Sequence, residues 1–326
     1  MKKLTILSFA ASCCLTMSLM GCSSSTKTIG ILEFVTQDAL ELCREGFVST
    51  LKERGYEEGK NITINYQNPE ANSSTQATMA NKLARESSLL FGIATPSALA
   101  LKSALEDADK DTPLLYSACT DPISAGLIKS TSEHSNVTGT SDAGPTAKNV
   151  DLFTRFVDKD GKEIKKVGIL YSSGERNSIV QREEMKSECN KLGLTFLDGG
   201  MSDSTVIPST LNSLISQGMQ ALFIPTDNSV ASAMSSISET LINNKILTVC
   251  ADSSETSNGG SLGYSVSYKT LGENTGAMAA DILDGKSISS ITPSYSSSFP
   301  LTINQDFFTR TGLTLPEGIP SSVSMD

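Results

Sequence analysis

Val167-Gly168-Ile169-Leu170-Tyr171-Ser172-Ser173-Gly174-Glu175-Arg176-Asn177-Ser178 sets out the repeating unit of the chain. An apolar run of strand length leads into a loop crowded with hydrogen-bonding side chains, and a helical pattern follows at 178–192. A strand that is apolar on both faces belongs in a parallel sheet covered by helices. Downstream the unit recurs, with strands expected at 194–197, 221–224 and 246–249 and helices at 206–217 and 230–243. Upstream, strands at 28–32, 62–66, 89–93 and 114–118 alternate with helical patterns at 38–54 and 74–86, the first helix ended by Gly55 and Gly59. Such alternation gives right-handed crossovers, and 326 residues exceed one modest core. The predicted fold is therefore α/β, with two doubly wound parallel-sheet lobes joined by a multi-strand hinge. Lobe 1 is expected over 28–140 with 265–290, and lobe 2 over 141–264 with 291–326. The Gly-, Ser- and Thr-rich stretch 136–142 marks the first crossing. A strand near 262–266, a helix at 270–283 ended by Gly285 and a strand at 301–303 bring the chain back across the hinge.

Composition narrows the partners. The formal charge is -10, aromatic residues are 6 % and Trp is absent. Polyphosphates and nucleic acid are therefore excluded as expected partners. Cys43, Cys119, Cys189 and Cys250 are widely spaced, form no C-x-x-C pair and sit in apolar or amphipathic runs, so they are expected as buried free thiols.

The first residues have their own signature. Lys2 and Lys3 precede an apolar stretch at 4–19 that is short for a permanent span, as in a secretory leader covering 1–21. Leu19-Met20-Gly21-Cys22 resembles the lipobox of bacterial lipoproteins. That resemblance implies cleavage before Cys22, acylation of its thiol with palmitate-class chains, and residues 22–27 as a polar tether. Lipid chains anchor a domain at roughly 0.8 kcal/mol per buried methylene without making it span the membrane.

Ligands of open parallel sheets bind beyond the carboxyl ends of the strands, where helix N-termini offer free N–H groups. The candidate residues are those at strand ends. Thr95 is expected as an N-cap with Pro96 in the first helical position, followed by Ser97 and Ala98. Asp121 is expected either to cap a helix or to face the cleft. Ser173, Glu175, Asn177 and Ser178 follow the strand that ends at Tyr171, and Thr226, Asp227 and Asn228 follow 221–224. Asp252 follows 246–250. Polar groups at equivalent positions in both lobes point to a shared cleft.

Catalytic readings fit poorly. Gly259-Gly260-Ser261-Leu262-Gly263 matches G-x-S-x-G, but a strand pattern follows Ser261 and the single His, His134, lies far upstream. Gly285-Lys286-Ser287 lacks the first Gly of a phosphate-binding loop and follows a helix. One His and no Cys pair give no zinc site, and no D-x-D-x-D-G run marks calcium. No enzyme activity, metal or cofactor is expected.

Thr95-Pro96-Ser97-Ala98, Thr120-Asp121-Pro122, Asn136-Val137-Thr138-Gly139, the run from Tyr171 to Ser178 quoted above, and Pro225-Thr226-Asp227-Asn228 together resemble the signature segments of a bacterial ABC-transporter substrate-binding family. That family includes tryptophan-binding lipoproteins of the type I periplasmic-binding-protein fold. The resemblance runs from about Ile29 to Ile319. It implies an extracytoplasmic receptor that delivers a ligand, often an aromatic amino acid, to a permease and an ATPase. A monomer anchored to the bacterial membrane through Cys22 is expected. In such a receptor Ser97 and the amides around 95–98 would take the α-carboxylate. Asp227 would take the α-ammonium, with Glu175 and Asp121 as competitors. Phe34 and Tyr171 would form apolar walls, while Asn177, Ser178 and Asn228 would close from the second lobe. Where relatives carry Gln and then Val-Glu-His-Pro, this chain has Glu33-Phe34-Val35-Thr36-Gln37-Asp38, so Glu33 is expected to favour a ligand with an extra donor or positive charge. A sensory module for a sugar or nucleoside is the alternative; such modules usually continue into a transmembrane helix, and 320–326 shows none.

Overall fold

The computed structural model describes residues 26–319. The expected leader, Cys22 and most of the tether lie outside the described residues. The first lobe is built from β1 (Lys27–Glu33), α1 (Asp38–Glu53), β2 (Ile62–Gln67), α2 (Ser73–Glu86), β3 (Leu89–Ile93), α3 (Thr95–Asp107), β4 (Leu114–Ser117) and β5 (Val137–Ser141). The second holds α4 (Thr146–Arg155), β6 (Lys166–Ser172), α5 (Arg176–Leu192), β7 (Thr195–Met201), α6 (Ile207–Ser216), β8 (Ala221–Ile224), α7 (Asn228–Asn243), β9 (Leu247–Cys250), α8 (Ser253–Ser257) and β10 (Leu262–Tyr264). The chain then returns to the first lobe for α9 (Tyr268–Leu283) and β11 (Ser294–Tyr295), and ends in the second with β12 (Leu301–Ile303) and α10 (Gln305–Thr311).

Each lobe has a six-stranded sheet, ordered β11-β5-β4-β3-β1-β2 and β12-β10-β9-β8-β6-β7. The strands are parallel except for β12, which runs antiparallel to β10. The order reverses between β1 and β3 in one sheet and between β6 and β8 in the other. These switch points open crevices at the carboxyl ends of the strands.

Central strands are buried along their whole length, as in β3 (LLFGI) and β8 (ALFI). Helices cover both sheet faces, giving two apolar clusters per lobe. Side-chain caps from Gln37, Asp227 and Ser267 start α1, α7 and α9. Gly193, at φ 67, ends α5 in the left-handed region. Gly46 and Gly272 let α1 and α9 cross at close range, because a Cβ on either would run into the other helix's backbone. That crossing fixes the returning α9 onto the first lobe.

Two boundaries differ from expectation. The stretch 136–142 is mostly strand β5, fully buried, so the first crossing comes after Ser141. Small residues suit it because the strand is covered on both sides and Gly139 packs against the backbone of Tyr116. The last return falls between Tyr295 and Leu301 instead of at 291, because β11 pairs with β5 in the first sheet. Helices α4, α8 and α10 were not expected, although α4 buries Val150, Leu152 and Phe153. The four cysteines are buried and unpaired. No helix among the described residues is long and apolar enough to cross a membrane.

Candidate functional site

The carboxyl ends of the two sheets face each other, and a small cavity lies between them. Its first-lobe wall is Gln37, Leu40, Ala118, Thr120, Asp142 and Tyr268; its second-lobe wall is Asn177, Thr226, Asp227, Asn228, Ala231 and Asp252. The space open to the centre of a water molecule is about 10 Å³, room for roughly one water. The lobes are shut against each other. Thr120 and Thr226 hydroxyls meet at 3.0 Å, Gln37 Nε2 donates to Asn228 Oδ1 at 3.3 Å, and Arg176 donates to the Ser124 carbonyl at 3.0 Å. Asn258 also donates to Asp38 across the interface at 2.9 Å.

In the second lobe, Glu175 and Asp227 play structural parts. Glu175 accepts five hydrogen bonds, from Asn177 Nδ2, the Asn228 backbone and side-chain nitrogens, and the Ser229 backbone and hydroxyl. It therefore clasps the N-terminus of α7, where anionic charge is favoured. Asp227 caps the same helix through Val230 N and accepts Ser172 N and Ser178 Oγ, each at 2.6 Å. Burial and the neighbouring Glu175 charge push its carboxyl up to about 8.

Asp142 and Asp252 are less committed. Asp142 is 4 % exposed and accepts the Tyr268 hydroxyl on Oδ2 at 3.0 Å, while Oδ1 has no hydrogen-bond partner. Asp252 starts α8 by accepting Ser254 N at 2.7 Å. Burial pushes Asp252 up to about 7, with Asp142 and Asp38 of the first lobe adding to the shift. Behind it Glu255 is 1 % exposed, neither carboxylate oxygen has a partner, and burial raises it well above the usual range. Among the described residues no Lys, Arg or His lines the cavity. A donor-rich or cationic group would satisfy such a wall.

Asn177 also borders a neighbouring space of about 290 Å³, lined by Thr95, Asp121, Ser124, Ala125, Arg176, Ile179 and Val180. Asp121 reaches it with its carboxylate already holding Ile123 N, Ser124 N and Ser124 Oγ, so Asp121 caps its own turn.

The structure gathers Asn177, Thr226, Asp227, Asn228 and Asp252 at the cavity, with Thr95 and Asp121 at its flank. Other expected residues lie elsewhere. Glu33 is fully buried and accepts Arg44 Nε of α1 at 2.8 Å, away from the cavity. Phe34 packs in the first-lobe core, and Ala98 packs against β3 at Gly92. Tyr171 packs on Gly200 and the second-lobe core, on the face that also carries Arg182 and Asp198. Ser173 donates to the Met201 carbonyl at 2.9 Å. Ser178 stands behind Asp227. Ser97 is fully buried in the first turn of α3 and its hydroxyl lacks a partner. Thr95 is the first helical residue, not the cap; that place belongs to Ala94, at φ 77, and the Thr95 hydroxyl meets Cys119 Sγ at 3.4 Å.

Gln37, Leu40, Thr120, Asp142 and Tyr268 complete the wall without having been singled out as ligand contacts. Asp142 follows a strand end, as Asp252 does, and the same rule finds it once β5 is read as a strand. The two motif residues with nucleophilic potential are occupied: Ser261 Oγ donates to the Thr248 carbonyl at 2.6 Å, and His134 Nδ1 meets the Val137 carbonyl at 3.1 Å in the other lobe.

Comparison with known proteins agrees with this architecture. The family model for ABC transporter substrate-binding proteins matches residues 28–324. A tyrosine-binding protein of Clostridioides difficile is 32 % identical over 286 residues, 87 % of this chain and 80 % of that protein. A Streptococcus pneumoniae domain solved in complex with L-Trp is 32 % identical, with a TM-score of 0.82 over 90 % of this chain and 97 % of that one. The ligand-free, open structure of a Clostridium difficile substrate-binding protein with adhesive properties is 33 % identical over the same shares, with a TM-score of 0.64. At nearly equal identity the shape agrees better with the complex than with the open form, in keeping with the contacts that shut the cleft. This chain thus belongs to the ABC transporter substrate-binding proteins of the type I periplasmic-binding fold, non-catalytic extracytoplasmic receptors that pass a small ligand to a permease and its ATPase.

Proposed function

We propose that this chain is a monomeric receptor, lipid-anchored through Cys22, that binds an aromatic amino acid between its lobes and delivers it to an ABC permease. The observation that carries the reading is the pair Asp142 and Asp252, one from each lobe, lining a cavity with no basic side chain. An α-ammonium set between them would make charge-assisted hydrogen bonds to both lobes and so select the closed form. This moves the ammonium role from Asp227, whose bonds hold α7 and β6 together, to the pair with capacity left. The α-carboxylate goes to the first turn of α3, where the unpartnered Ser97 hydroxyl and the helix end favour an anion. The ring goes to the flanking space beside Ala125, Ile179 and Val180, in place of the walls expected from Phe34 and Tyr171. Relatives named for tyrosine and solved with L-Trp support the ligand class. The cavity is too small for such a ligand as it stands, so entry requires the lobes to part about the hinge.

Thermal-shift screening of the chain from Ser23 onward tests this. L-Tyr, L-Trp or L-Phe should raise the melting temperature by mass action, and Asp142→Asn should weaken the response at least tenfold in ligand concentration, as loss of about 1.4 kcal/mol would. Shifts with sugars or nucleosides alone would overturn the amino-acid assignment. Anchoring is read separately: Cys22→Ser should release the protein from membranes.

A further inference from the structure

We infer that closure of the cleft is proton-linked: packing Asp142 of the first lobe against Asp252 of the second, with Glu255 buried behind it, demands positive charge, which a bound ammonium supplies or, without it, protons supply. The ammonium half of this statement rests on the reading above; the proton half does not.

The argument is geometric. All three carboxylates are at most 4 % exposed. Among the described residues Asp142 Oδ1 and both oxygens of Glu255 have no hydrogen-bond partner, so no donor spreads their charge. Apart from Asp227 and Glu175, the groups around them are neutral: Gln37 at the start of α1, Tyr268 on α9, Thr120 after β4, Asn177 on α5, and Thr226 and Asn228 at the start of α7. Another carboxylate, Asp38 on α1, adds its charge at Asp252. Cations on the adjoining elements are engaged elsewhere, Arg44 with Glu33, Lys269 with Glu273 and Arg176 with the Ser124 carbonyl. Opening the lobes would return Asp142 and Asp252 to water, where a carboxylate ionises near pH 4. In the closed form burial pushes Asp252 up to about 7, with Asp142 of the other lobe adding to the shift. The closed form therefore binds more protons than the open form between those limits, and falling pH favours closure. A cationic ligand displaces the same protons, so its affinity should rise with pH, by about tenfold per unit for each proton released.

Small-angle scattering of the ligand-free mature protein from pH 8.5 down to pH 5.5 tests the idea without any assumption about the ligand. The radius of gyration should fall as the pH drops. The double variant Asp142→Asn/Asp252→Asn should be compact throughout, since its amides mimic protonated carboxyls. A wild-type radius constant across the range would overturn the proposal, and so would a variant that still follows pH as the wild type does. Calorimetry of L-Tyr binding at pH 7.5 in phosphate and in Tris should show proton release. Binding without release would remove the ligand half. A flat scattering profile in a protein that binds L-Tyr would sink the proton link alone, whereas a pH-driven closure with no response to aromatic amino acids would sink only the ligand class.

Discussion

Glu33 ends β1 with its carboxylate against the Arg44 guanidinium at 2.8 Å, and that guanidinium stacks over the Tyr66 ring. The charge that distinguishes this segment is thus absorbed within the first lobe. Burial raises the Glu33 carboxyl while Arg44 opposes the shift, so the two effects partly cancel. Glu33→Gln should leave the rank order of ligands unchanged in a thermal-shift panel and change stability little, since the amide removes a charge that burial disfavours and Arg44, 31 % exposed, can turn to solvent. A new preference among ligands in that variant would mean that Glu33 reaches the cleft after all. The same geometry explains which site residues were legible. Asp227, Asn228 and Asp252 follow short strands and begin helices, so position alone aims them at the cleft. Whether Phe34 or Tyr171 points into the cleft or into the core depends on the twist at the strand end, and an apolar residue suits either face. Gln37 and Tyr268 lie in helical starts whose role depends on where α1 and α9 are placed by the other lobe.

The element that organises the second-lobe wall is α7. Its N-terminus is held twice, by the Asp227 cap from within and by four bonds from Asn228 and Ser229 to Glu175 at the start of α5. Because both carboxylates sit at free N–H groups, α7 and α5 keep a fixed spacing and hold Asn177, Thr226 and Asn228 at the cavity. Glu175→Ala should cost about 2–4 kcal/mol in chemical denaturation, in line with stranding several buried donors at once, and it should do so in the absence of ligand. If only ligand affinity fell, with stability intact, Glu175 would be a ligand contact and not a clasp. Elements built on strong periods were readable from residues: β3, β8 and β9 are short apolar runs, and α1 and α7 carry an apolar stripe with a capping side chain. Strand β5, with sequence VTGTS, has few apolar side chains because its neighbours supply the packing, and its Thr138 and Thr140 hydroxyls bond to the Ile291 carbonyl and to Thr275. A buried polar strand of that kind is indistinguishable from a hinge until the elements around it are in place.

At the scale of the molecule, two lobes linked by three chain crossings can part only by moving the cleft carboxylates together as groups, and this ties conformational state to global stability. Asp142, Asp227, Asp252 and Glu255 all have raised carboxyl pKa values led by burial. The unfolded chain titrates these groups near 4, so the folded protein holds more protons than the unfolded one between pH 4 and about 8. For groups with raised values the stabilising contribution is complete below the unfolded pKa and is lost as pH climbs through the folded one. The carboxylates with lowered values, such as Asp158 and Asp281, act in the opposite sense, but they titrate below pH 4 and leave the window above it untouched. Equilibrium denaturation of the ligand-free protein should therefore show stability falling from pH 5 to pH 8, by an amount on the order of a few kcal/mol after solvent relaxation is allowed for. Saturating cationic ligand should flatten that slope, because its positive charge replaces the protons that the rising pH removes. A ligand-free slope of the opposite sign would show that the carboxylates are paired in solution by groups from outside the cleft, and the electrostatic account of closure would fall with it.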